Sequence, residues 1–251
     1  ENMHQLEQLQ RSFAVAKKDV WIYYAKGPVM VFGLIFPLFL LIAFTIGRNM
    51  TVKELFPGLM GMAIFFTSTA VGPAILPWEA RSKTLERLVS SPVEVWALLL
   101  GDVFASFVFG LLISIMPLAV AVLMGVEVVH LLVFCLGMIL ATICFASLSI
   151  LLSVYPPTDV PATVMMLSSL VRFPLVFISG VFVPVEEMPA WGQTIASASP
   201  LTYFIDLARY STTGISYYSL PIDLAVLVVS TLLFLVVSIK LHERFLPQRL
   251  S

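Results

Sequence analysis

The chain has 251 residues, 59% of them hydrophobic and 12% charged, where a soluble domain carries roughly 25% charged residues. A mean hydropathy of +1.00 excludes a water-soluble fold, because a chain of this length cannot bury that much apolar surface. A net charge of -1 excludes a nucleic-acid partner, whose phosphates require a basic excess.

Residues 1–27 precede the first long apolar run. Leu6, Leu9, Phe13, Ala16, Val20 and Tyr24 recur at three- and four-residue steps, with Lys17 and Lys18 off that stripe. This pattern predicts an amphipathic helix in the inner membrane interface, anchored by Trp21, Tyr23 and Tyr24.

Crossing roughly 30 Å of hydrocarbon takes about 20 apolar residues. Charge-poor runs of that order predict six spans, at about 28–47, 55–78, 95–126, 128–155, 160–183 and 220–239. An open sheet cannot satisfy its backbone in lipid, so the spans are helices and the fold is all-α and polytopic. With no linker or repeat in view, residues 28–251 read as one membrane domain.

Lys and Arg in the loops set the orientation. An inside N-terminus places Arg11, Lys17, Lys18, Lys26, Arg81, Lys83, Arg87, Lys240, Arg244 and Arg249 on the cytoplasmic side, against Arg48, Lys53 and Arg209 outside. Both termini are therefore expected in the cytoplasm.

The two cysteines, Cys135 and Cys144, fall on opposite faces of one apolar run and read as packing residues. His4, His130 and His242 are scattered, so no metal site is expected.

Between spans two and three lies EARSKTLERLVSSPVEVW, Glu79 to Trp96. Leu85, Leu88 and Val89 make an apolar edge at helical spacing, and Pro92 ends the turn. The segment reads as a short surface helix presenting a docking edge. It resembles the cytoplasmic loop of type-2 ABC exporter permeases, which runs E-R-E-R-G-T-L-E-R-L and then a small residue and Pro. Glu79, Arg81, Thr84, Leu85, Glu86, Arg87, Leu88, Ser91 and Pro92 match, and Lys83 stands where Gly is usual. The resemblance implies a coupling helix that fits a cleft on a separate ATP-hydrolysing subunit.

The second informative segment, Phe177 to Tyr210, continues from span five on the outer side. Pro184, Pro189 and Pro200 divide it into two helices too short to span, which predicts a re-entrant or interfacial hairpin. It too is similar to that family, whose pattern runs F-x-S-G-x-x-x-P, then P-x-W, then N-P-L-T with an acidic residue and Arg. Ser179, Gly180, Pro184, Pro189, Trp191, Pro200, Leu201, Thr202, Asp206 and Arg209 match, with Ser199 where Asn is common. The family includes nodulation-factor, daunorubicin-type and polysaccharide exporters.

The phosphate-cradling G-x-x-x-x-G-K-S/T loop does not occur here. The resemblance therefore implies an ATPase partner holding ATP and Mg, and a second copy of this chain completing the pathway. No cofactor is expected on the chain itself, and membrane lipids are its other partners. The implied activity is outward transport of an amphiphilic small molecule, drug or lipid-linked glycan, with the outer hairpin as exit gate.

Thr67, Ser68 and Thr69 of span two and Ser168, Ser169, Arg172 and Phe173 of span five are candidate pathway residues, polar and small groups amid apolar ones. Arg172 and Asp102 are ionisable groups within spans; they pair, or Arg172 faces the pathway, or Arg172 snorkels and hydrogen-bonds to backbone. Asp223 is expected to reach the outer interface.

The rival classes are an intramembrane enzyme and a non-transporting scaffold. Gly101-Asp102 is close to the G-x-G-D of membrane aspartyl proteases, but Leu99 replaces the first Gly and no Tyr-Asp partner occurs. One carboxylate cannot form that dyad.

Overall fold

In a computed structural model, residues 2–23, 31, 35–48, 51–90 and 93–250 are described. All regular structure among them is helical: α1 Asn2–Tyr23, α2 Phe36–Arg48, α3 Val52–Arg81, α4 Thr84–Val89, α5 Val95–Leu123, α6 Leu131–Leu152, α7 Pro161–Ile178, α8 Ala190–Ala196, α9 Pro200–Thr213 and α10 Leu220–Leu250.

Five helical stretches are long and apolar enough to cross a membrane: Val52–Arg81, Val95–Leu123, Leu131–Leu152, Pro161–Ile178 and Leu220–Phe245. They correspond to predicted spans two to six with shifted ends. Of predicted span one, residues 28–30 and 32–34 lie outside the described residues, and α2 is its C-terminal part.

The α3 helix, predicted as 55–78, is observed as 30 residues, about 45 Å at 1.5 Å per residue. It starts early because Thr51 and Glu54 form a capping box: Thr51 Oγ1 accepts from Glu54 N at 3.4 Å and Thr51 N donates to Glu54 Oε2 at 2.8 Å. Pro57, Pro73 and Pro77 all lie inside it. Beside Pro73, the Gly72 N–H donates to Ser149 Oγ of α6 at 2.8 Å, a tertiary hydrogen bond at the point where proline weakens the helix ladder.

Because α3 touches α2, α4, α5, α6, α7 and α9, its Phe56, Met60, Met62, Ile64, Phe65 and Phe66 form the middle of the core. The surrounding helices turn apolar faces outward. Leu112, Ile115 and Met116 of α5, Met166 and Leu170 of α7, and Val229, Leu232 and Leu233 of α10 are exposed, a surface that a bilayer covers.

The ends of the other predicted spans shift for local reasons. The α5 helix stops at Leu123 because Gly125 turns with φ 89°, and α7 stops at Ile178 just before Gly180 at φ 82°. Predicted span six continues as helix to Leu250.

Candidate functional site

The first half of the stripe predicted for α1 faces outward, while its Ala16 is buried and its Tyr24 lies outside the described residues. Leu6, Leu9 and Phe13 are exposed, Phe13 by 60%, whereas Gln8, Ser12 and Asp19 are buried together with Val15 and Ala16. These five residues share one helical face, and α5 is the helix α1 packs on most extensively. The reason is solvent: an apolar stripe at a membrane surface is satisfied by lipid, while a polar face needs protein partners.

Those partners lie at both ends of the loop between α3 and α5. At the far end, Gln8 Oε1 accepts from Glu94 N at 3.1 Å and Ser12 Oγ donates to Ala97 O at 2.6 Å. At the near end, Lys18 Nζ pairs with Glu79 in the last turn of α3 and lies 3.1 Å from Asp19 Oδ1. Burial works against the Lys18 charge, but Glu79 and Asp19 outweigh it and hold the lysine pKa above its ordinary value.

Close approach of α1 to α5 depends on Gly101. A β-carbon there would come within 2.8 Å of the Ser12 carbonyl oxygen and of the Val15 side chain. The neighbouring Asp102 is fully buried beside Asp19, Glu79 and Lys18.

Within the loop, α4 spans Thr84–Val89. Leu85, predicted to belong to a docking edge, is instead completely buried and packs in the cluster with Val15, Leu76, Leu98 and Leu99. Glu79 is likewise turned inward, onto Lys18 rather than onto a free surface. Arg81 and Arg87 are exposed, and Thr84 is half-buried with its hydroxyl 2.9 Å from Ser82 Oγ. Glu86 and Leu88 lie on α4, whereas Ser91 and Pro92 lie outside the described residues. Lys83, in the usual Gly position, adopts φ 57°, a left-handed conformation that explains the preference for Gly.

At the opposite end of the bundle, a 3-10 turn at Val185–Glu187, α8 and α9 form the predicted hairpin. Residues Leu201 to Ala208 of α9 are buried, and the helix packs on α3, α6 and α10. Asp206 fastens it: Oδ1 accepts from Tyr217 N at 2.8 Å and Oδ2 from Tyr218 N at 2.7 Å. Arg209 pairs with Glu186 at 2.7 Å, and Ser179 Oγ lies 2.6 Å from Ser199 Oγ. Gly180, Pro184, Pro189 and Pro200 stand at the joints, while Trp191 is exposed.

A family model described as ABC-2 type transporter matches residues 9–213, from α1 through the end of α9. The chain belongs to that family. It is 25% identical over 230 residues to the inner membrane transport permease YadH of Escherichia coli K12, covering 90% of this chain and 89% of the relative. The same figures hold for the protein of that name from Shigella flexneri. As an ABC-2 protein, the chain is a multi-pass membrane component of a transporter, which favours the transport reading over the rival classes.

The candidate pathway residues of this ABC-2 chain lie on two adjoining helices, α3 and α7. Thr67, Ser68 and Thr69 are completely buried, and Thr69 Oγ1 donates to Phe65 O at 2.6 Å. Phe173 lies tilted against Phe66 at 5.4 Å and edge-on to Phe36 at 6.2 Å between ring centroids. Arg172 does not pair with Asp102. Its guanidinium donates to Ser169 Oγ at 2.9 Å and Ser168 Oγ at 3.1 Å on its own helix. Asp223, expected at the outer interface, is completely buried.

Sequence reasoning missed Gln8, Ser12 and Asp19. The available signal was their spacing: polar residues at positions 8, 12 and 19 fall on one side of a helix whose apolar stripe lies on another.

Proposed function

We propose that this chain is the permease subunit of an ATP-driven exporter in the plasma membrane. Two copies form the pathway, and two separate ATPase subunits, which hold ATP and Mg, drive it. The loop between α3 and α5 faces the cytoplasm, in keeping with the excess of Lys and Arg on that side.

The observation that carries this reading is the way α4 is held. Leu85 roots it in the core, Lys18 joins α1 to the helix before it, and Gln8 and Ser12 join α1 to the helix after it. A partner pressing on the exposed Arg81 and Arg87 moves α1, α3 and α5 together. The outer hairpin from Pro184 to Arg209, tied by Asp206 and Arg209, moves as a unit and acts as the exit gate. The aromatic cluster of Phe36, Phe66 and Phe173 favours an amphiphilic cargo, a drug or lipid-linked glycan. Lipid tails fill the apolar groove of about 270 Å³ along α1 and α5, lined by Leu9, Phe13, Leu100, Phe104 and Phe107.

The test is reconstitution of the chain with an ATPase subunit in vesicles. Arg87→Glu and Arg81→Glu are expected to lower ATPase stimulation about tenfold while leaving Tm unchanged, since both side chains are exposed. An unaltered chain that neither binds nor stimulates the ATPase overturns the reading.

A further inference from the structure

The acidic residues beneath α1 outnumber the positive charges available to them. Asp19 of α1, Glu79 of α3 and Asp102 of α5 converge on the single ammonium of Lys18. All three carboxyl groups are shut off from solvent: Asp19 and Asp102 are 0% exposed and Glu79 1%. Apart from the Lys18 ammonium 3.1 Å from Asp19 Oδ1, both oxygens of Asp19, both of Asp102 and Oε2 of Glu79 have no hydrogen-bond donor among the described residues. Asp102 is decisive, because it comes from a different helix, is completely buried, and lies beside Asp19 and Glu79 with no donor among the described residues.

Among the described residues, no other charged group closes the gap. The helices packed around the site supply Leu76, Leu85, Leu98, Leu99, Val103, Ala146 and Ile150, with Leu235 and Ile239 of α10 at the margin. Arg81 and Lys83 are exposed, Arg11 pairs with Glu7, and His242 bonds to Ser238 and Ser153. Among the described residues, no group of His, Cys, Asp and Glu has the arrangement of a metal site. Fully ionised, the site would hold two uncompensated negative charges in a dry interior, which is costly enough that such groups neutralise instead.

We infer that Asp19, Glu79 and Asp102 form a proton-binding site, in which carboxylic-acid protons shared between α1, α3 and α5 replace the positive charges the site lacks. A protonated Asp102 donates to Asp19 across the contact that Gly101 keeps short. Release of the proton places like charges on both sides of that contact and drives α1 away from α5. The protons thereby govern whether α1 stays seated over both ends of the α4 loop. The inference concerns protonation alone and does not require the transport direction proposed above.

Infrared spectroscopy of the full chain in lipid vesicles at neutral pH tests this directly. An Asp223→Asn background silences the other buried carboxyl group that has no donor among the described residues. A protonated-carboxyl C=O band is expected, shifted in deuterated water, and lost or displaced in at least one of Asp19→Asn, Glu79→Gln and Asp102→Asn. The band should titrate away as pH rises, and Tm should fall with it; Asp102→Asn should flatten that fall. If an amide variant does not fold, aspartate carrying a carbon-13 side-chain carboxyl in the Asp223→Asn chain reports the same band by its isotope shift. Absence of any protonated carboxyl signal at neutral pH overturns the inference, as does a band identical in all three variants. A bound metal cation in place of protons gives the first of these negative results.

Discussion

Lys18 and Glu79 form an ion pair that ties the first helix of this ABC-2 chain to the last turn of its most enclosed helix, two residues before the exposed Arg81. Glu79 keeps 1% side-chain exposure and Lys18 24%, so the pair is shielded from solvent on the carboxylate side. Removing one partner of such a pair is far more damaging than removing both, because the survivor is a charge without compensation.

Lys18→Met should therefore destabilise the chain by about 3 kcal/mol, the lower end for an orphaned buried charge because Lys18 is partly exposed. Adding Glu79→Gln should restore part of that loss. Thermal unfolding in detergent of both single variants and the double variant measures the coupling, and additive losses exclude a direct interaction. The penalty of Lys18→Met should shrink at lower pH, where protons take over from the ammonium.

Gly101→Val tests the seating of α1. The added side chain meets the Ser12 carbonyl oxygen and Val15, which cannot move without shifting the helix. The expected loss is about 1–3 kcal/mol in stability, with ATPase stimulation falling further than Tm alone accounts for. Gly101→Ala should show a weaker form of both effects. A Gly101→Val chain indistinguishable from wild type means that α1 does not rest on α5 at this point.

Lys83→Gly should stabilise. Lys83 sits at φ 57°, where a side chain costs about 1–2 kcal/mol that Gly avoids, and the extra flexibility of Gly in the unfolded chain returns part of the difference. A net gain of about 0.5–1 kcal/mol is expected as a rise in Tm. Lys83→Ala should give no such gain.

Asp206 predicts a pH effect at the opposite end of the bundle. Burial pushes its carboxyl above the usual carboxylate range, against the pull of the Tyr217 and Tyr218 N–H groups and of Arg209. A carboxyl raised in the folded state contributes stability that is full below its unfolded pKa and is lost as pH rises through the folded one. Tm should accordingly decline across that window, and Asp206→Asn should remove this part of the decline. The substitution also replaces one acceptor oxygen by a donor facing a backbone N–H, so a loss of about 1–3 kcal/mol is expected at neutral pH.

The spans could be read from the sequence because lipid imposes a length and a composition on each one. The short helix at Thr84–Val89 and the broken hairpin after Gly180 were also legible, since Pro92, Pro184, Pro189 and Pro200 punctuate the chain locally. The direction each surface faces was not. Leu85 read as part of a docking edge because it recurs with Leu88 and Val89 at helical spacing, yet it lies in the core with Leu76 and Leu98. Asp102 and Arg172 were candidate partners as ionisable groups within spans, but Arg172 Nη2 donates to Ser168 and Ser169 on its own helix and Asp102 lies beside Asp19 and Glu79.

Hydropathy and proline placement, which act within a few neighbouring residues, determined by themselves that this protein is a helical membrane chain with a short loop helix and a broken helical hairpin. Only the tertiary structure decided which face of α1 is buried and which carboxyl groups share one lysine. The physical reason is that a membrane reverses the usual inference from amphipathicity: lipid accepts the apolar stripe of Leu6, Leu9 and Phe13, so the polar face of Gln8, Ser12 and Asp19 must find its partners inside the protein.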